Sequence, residues 1–98
     1  PVTVSAGKAA QKIAGEGIVE FAVSGDDLCR LYAVVTGDGW EVKLFNEIVA
    51  PGDGKTVEVP VYVRAKQGCS KKAEITLSAV SESDSKYRSA ASIKVKLQ

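Results

Sequence analysis

The chain has 98 residues, 45% of them hydrophobic and 26% charged, with thirteen basic against twelve acidic residues and a formal net charge of +1. That length predicts one domain, residues 1–98, with one modest core, and the near-neutral, scattered charge gives no long-range pull toward nucleic acid or an anionic membrane. No apolar run approaches the roughly 20 residues that cross a bilayer as a helix, so no membrane insertion is expected, and the absence of histidine removes Ser-His and Cys-His catalysis and leaves no ordinary zinc site.

The start, Pro1 followed by Val-Thr-Val, reads as the beginning of a strand in a domain taken from a larger multidomain protein. Val2 to Ser5 alternates and predicts a short edge strand. Gly7 to Gly17 has helix formers but a weak apolar stripe and three glycines, so irregular or edge structure is expected there. Ile18 to Ser24 alternates with Val19, Phe21 and Val23 on one face, the pattern of a half-buried strand. Gly25-Asp26-Asp27 is a turn. Leu28 to Thr36 follows as a strand with Cys29, Leu31, Ala33 and Val35 inward.

Gly37-Asp38-Gly39 closes that strand with glycines suited to positive φ. Trp40, Val42 and Leu44 then alternate against Glu41, Lys43 and Phe45, and Ile48-Val49 predicts a brief further strand. After Pro51-Gly52-Asp53-Gly54 comes the clearest alternation in the chain: Val57, Val59, Val61 and Val63. Pro60 inside it cannot donate to a ladder, which places that position at a sheet edge or a bulge. Gln67 to Lys72 is a polar loop. Ala73, Ile75, Leu77 and Ala79 line one face of the next strand, Ser81 to Ser89 is a polar loop, and Ile93, Val95 and Leu97 make the last strand. About seven strands with turn signals every 8–12 residues or so predict an all-β fold, an antiparallel immunoglobulin-like or fibronectin-like β-sandwich.

Trp-x-Val, an apolar pair, Pro-Gly and a Val-rich strand running into Val-Pro form a wider pattern, carried here by Trp40, Val42, Pro51, Gly52, Val57, Val59, Val61 and Val63. The downstream Ile75 to Ala79 strand fits it as well. Over roughly residues 17–80 the chain resembles the bacterial immunoglobulin-like accessory domain found beside galactosidase catalytic domains and NPCBM-type carbohydrate-binding modules. The cysteines stand outside that pattern, and Ser24-Gly25-Asp26-Asp27 replaces the Asn-x-Gly turn common in the family. The resemblance implies a non-catalytic spacer or docking domain of a secreted or cell-surface multidomain protein, a glycoside hydrolase or a peptidase. Its partners would be neighbouring domains of the same chain.

Trp40 and Phe21 are assigned to the core, since a lone Trp in this pattern fills the space between two sheets. Tyr32, Tyr62 and Tyr87 are the alternative: if they met on one face they would form a platform for a polysaccharide or cell-surface glycan. A third reading uses a sheet edge, Val2 to Val4 or Ile93 to Leu97, for adhesion by strand addition. Cys29 and Cys69 admit two readings. An even count in a small β-domain favours a disulfide, worth roughly 3–4 kcal/mol for a loop of about 40 residues. The expected strand order sets the two at opposite poles, beyond the ~7 Å Cα separation a bridge allows. No cofactor is called for. Calcium would need oxygens converging on one point, and the place for it is where the Asp26-Asp27 turn meets the Glu82 to Asp84 loop. Catalysis is not expected, because no cleft and no nucleophile–base pair is discernible.

Overall fold

The computed structural model describes all of residues 1–98. Nine strands form it: β1 (Thr3–Ala6), β2 (Ala10–Ile13), β3 (Glu16–Ser24), β4 (Cys29–Thr36), β5 (Trp40–Leu44), β6 (Ile48–Val49), β7 (Thr56–Ala65), β8 (Lys72–Ser81) and β9 (Arg88–Leu97). They build a four-stranded sheet in the order β1-β3-β7-β5 and a five-stranded sheet in the order β2-β9-β8-β4-β6. The two sheets face each other as a sandwich, and the molecule measures 42 × 19 × 18 Å along its principal axes. The fold class expected from the sequence therefore holds. Ile48-Val49 forms the brief extra strand expected, β6, and the Gly7 to Gly17 segment supplies a short edge strand, β2; the two close the edges of the five-stranded sheet.

The alternating residues meet between the sheets. Seventeen buried hydrophobic residues form one cluster, among them Val19, Phe21 and Val23 of β3, Val59, Val61 and Val63 of β7, and Ile75, Leu77 and Ala79 of β8. Period-2 alternation sends one face of each strand inward, and full burial of a Val or Leu side chain contributes roughly 1.5–3 kcal/mol. Trp40 and Phe21 lie in this core, 5% and 1% exposed.

One pairing departs from the all-antiparallel expectation: β2 runs parallel to β9. β1 pairs along β3 from Thr3↔Ser24 to Ala6↔Phe21, and Ile13 at the end of β2 lies beside Gly17 at the start of β3. The chain from Thr3 to Ile13 thus travels one way down the length of the sandwich. It changes sheets across Gly7 to Ala9 without turning back, and so lands on β9 in parallel.

Pro60 lies inside β7, which has β3 on one flank and β5 on the other. The carbonyl of Glu20, its partner on β3, accepts the Gly7 amide at 2.9 Å on the side away from β7. Glu20 and Pro60 are therefore a non-hydrogen-bonded pair, and the N–H that proline lacks would face the β5 flank. β5 pairing ends at Leu44↔Val61, one residue short of Pro60. The proline removes no ladder bond, because the strand is locally an edge on that side.

The cysteines do not pair. Cys29 and Cys69 are both free. Cys29 begins β4, whereas Cys69 packs against Gly39 beyond the far end of the same strand. Eight strand residues at about 3.3 Å each keep them roughly 20–25 Å apart, far outside bridging distance. The disulfide reading is overturned by strand order.

Candidate functional site

At one pole the β4–β5 turn is clamped to the β7–β8 loop. The amide of Ser70 donates to the Asp38 carbonyl and that of Lys66 to the Gly39 carbonyl, both at 2.8 Å. The Trp40 indole N–H donates to the Ser70 carbonyl at 2.8 Å, so the polar edge of a buried ring is satisfied. Gly39 sits at φ +77°, and a Cβ there would come within 2.8 Å of the Cys69 Cα. Only glycine fits this approach.

The opposite pole gathers the β3–β4 turn and the β8–β9 loop, as expected of this topology. The Glu82 amide donates to the Leu28 carbonyl at 2.9 Å. The Ser83 hydroxyl and the Leu28 amide hold the Asp27 carboxyl below its ordinary value. Arg30 Nε meets Glu82 Oε1 at 2.8 Å. The turn and loop named for calcium do come together, but a guanidinium and a hydroxyl join them. No group of three or more His, Cys, Asp or Glu side chains is placed so as to hold a metal ion.

The three tyrosines do not share a face. Tyr32 is on β4 of the five-stranded sheet, 50% exposed, and Tyr87 is in the β8–β9 loop, 52% exposed. Tyr62 is on β7 of the other sheet, where its hydroxyl donates to Glu16 Oε2 at 2.6 Å. Hydrogen bonding to that carboxylate pushes the Tyr62 phenol above its ordinary pKa. The sandwich's own thickness separates Tyr62 from the other two, so the three-tyrosine carbohydrate platform is corrected on geometry. Cys29 is fully buried, and burial, reinforced by nearby Asp27, pushes its thiol up; it is a core side chain and no nucleophile.

What remains is the outer face of the five-stranded sheet. Inward residues of β4 and β8 alternate with outward Tyr32, Val34, Thr76 and Ser78. The register lines up Tyr32, Ser78 and Ala90 in one row and Val34, Thr76 and Ser92 in the next. Ile48 of β6 stands beside Arg30 on the same face. Ile48, Tyr32 and Val34 are 43%, 50% and 57% exposed. Two successive cross-strand rows carry no charge at all, and three large apolar side chains stand in or beside them. Such a surface suits contact with another protein surface. The sequence reading missed it as a site, since each strand taken alone shows only one or two of these positions; the outward placement of Val34 was the available signal.

A family model described as "Peptidase M6-like domain" matches residues 4–98. Among curated proteins, one named "Putative secreted metallopeptidase" from Arthroderma benhamiae is 45% identical over 65 residues, which is 65% of this chain and 10% of that relative. The chain thus spans about a tenth of the length of the relative it matches. Both matches carry a peptidase in their names, and neither names a galactosidase. The resemblance to a galactosidase-associated, NPCBM-type domain goes no further than the general accessory type.

Proposed function

The chain belongs to the peptidase M6-like domain family, and from that premise we propose that it is a non-catalytic accessory domain, a single sandwich over residues 1–98, of a secreted multidomain peptidase. In this reading it docks against a neighbouring part of the same polypeptide and sets its position. Support for the non-catalytic role comes from the missing histidine and from the lack of any nucleophile–base constellation on the surface. The peptidase chemistry named for the family and for the A. benhamiae relative then lies in other parts of the parent chain. Secretion follows from the same relative's name.

The observation that carries the docking role is the exposure of Tyr32 and Val34 on two uncharged rows of sheet, with exposed Ile48 at their border beside Arg30. Exposed apolar contact area of this kind is stabilising only when another surface covers it. The test is Tyr32→Ser with Val34→Ser in the full-length protein and in the 98-residue domain alone. Docking predicts a lower thermal midpoint for the full-length variant and little change for the isolated domain, whose core these side chains do not enter. Equal, negligible changes in both would leave a passive spacer.

A further inference from the structure

Resting on that docking reading, we infer that the surface covering this sheet face is acidic and belongs to a neighbouring part of the same polypeptide. The observation is a ladder of lysines at one end of the face. Lys12 of β2, Lys96 of β9 and Lys72 of β8 stand side by side in register across three adjacent strands. Lys94 lies in the next row beside Glu74. All four point outward, because Ile13, Val95, Ala73 and Ile93, alternating with them, point into the core. They line one shallow depression, and the only acidic side chain in it is Glu74. Four lysines less one glutamate leave a local charge of +3.

Like charges directly opposite one another on a sheet are destabilising. Lysine on an edge strand has a simpler use, blunting the edge against strand addition, and that accounts for Lys12 on β2. It does not account for Lys96 and Lys72, which sit on interior strands. None of the four takes part in any of the protein's three ion pairs. The ladder is therefore an uncompensated positive field beside an uncharged apolar stretch, and the complement of that combination is an apolar patch with a carboxylate rim.

The class of partner follows from what accompanies the charges. No aromatic side chain lines the depression, so it offers no stacking surface for sugar rings. Ammonium groups on flexible stems suit several loosely placed carboxylates, where a single phosphate would favour an arginine fork. The relative's length leaves about nine-tenths of a polypeptide of that kind outside the region matched here, ample chain to supply such a surface. A second copy is the other occupant to consider, since Glu16, Glu20, Glu41 and Glu58 outnumber Lys43 and Arg64 on the outer face of the four-stranded sheet. That arrangement would be head-to-tail, pairing unlike faces of successive copies.

The experiment is zero-length carbodiimide coupling of the full-length protein, followed by peptide mass spectrometry. Carbodiimide joins an ammonium to a carboxylate in direct contact, so the link itself reports the partner's chemistry. The expected result is a set of links from Lys72, Lys94 or Lys96 to Asp or Glu outside residues 1–98, within one polypeptide. They should weaken at least roughly fivefold in ~1 M salt, where the screening length falls to about 3 Å. Lys72→Gln, Lys94→Gln and Lys96→Gln together should abolish them without altering the fold. Links confined to Lys43 or Lys55 would overturn this face assignment and keep a docked domain. Links joining two copies would overturn the choice of occupant. If no lysine links while Tyr32→Ser with Val34→Ser still lowers the full-length midpoint, docking stands and the acidic partner falls. If neither effect is seen, docking itself fails.

Discussion

At the residue scale, Trp40 couples the core to the pole. Its ring is buried and its N–H reaches over to the Ser70 carbonyl, so truncation removes packing and leaves an acceptor short of a donor. Trp40→Ala should cost about 3–5 kcal/mol, read as a fall in the urea midpoint at unchanged m-value. Trp40→Phe should cost clearly less, since it keeps most of the packing and loses the hydrogen bond. The cysteines give a second residue-scale prediction. Cys29 is fully buried, with its thiol pKa pushed up, while Cys69 is only partly covered in its loop. Thiolate is the reactive species. Iodoacetamide under native conditions should therefore label Cys69 and spare Cys29, with both labelled in denaturant, as intact mass and peptide mapping would show. Native protection of both thiols that reductant reverses would mean a bridge, and with it a different strand order.

At the scale of elements, the tie between β3 and β7 has a pH signature. Tyr62 on β7 donates to Glu16 at the start of β3, and this raises the phenol's pKa in the folded state. A group whose folded pKa is raised contributes fully below its unfolded pKa and loses that contribution as pH rises through the folded value. Wild type should thus be more stable than Tyr62→Phe at neutral pH, and the gap should close in alkali; thermal midpoints of the two across the alkaline range check it. A gap that widens with pH would contradict the bond. How far each element was legible in the sequence follows its own pattern. β7 was plain, because Val59, Val61 and Val63 alternate and all three are buried. β2 was not, because Ile13 alone of its four residues is buried and its partner β9 decides its conformation. The first half of β9, Arg88 to Ser92, looks like loop for the same reason: after Arg88 come only Ser and Ala, without large apolar side chains, and they become strand by pairing with β8. Alternation puts Tyr32 and Tyr62 on outward faces, but it cannot tell one sheet from the other. The lysine ladder is invisible in a linear reading, since register brings Lys12, Lys72 and Lys96 together from three distant parts of the chain.

At the scale of the whole molecule, the N-terminal segment finishes both sheets at once. β1 covers the open edge of β3, and β2 covers the open edge of β9. Val4 and Ile13 both enter the core, 7% and 3% exposed. Long-range hydrogen bonds fix the segment at each end: the Val4 amide donates to Ser89 Oγ at 3.0 Å and the Gln98 amide to the Ile13 carbonyl at 2.9 Å. Removing residues 1–14 would therefore do two separable things. Loss of the two core side chains at about 1.5–3 kcal/mol each would take a large share of the ~5–15 kcal/mol that holds an ordinary domain together. It would also bare β3 and β9, nine and ten residues long, as unpaired edges of the kind that recruit other chains. The truncated protein should show a much lower urea midpoint and form dimers or larger species in gel filtration at concentrations where the intact chain elutes as one smaller species. Restoring β1 alone should recover part of the stability and still leave β9 open, so association should persist; a monomer at that stage would mean that the edge of β9 is harmless and that β2 serves the core alone.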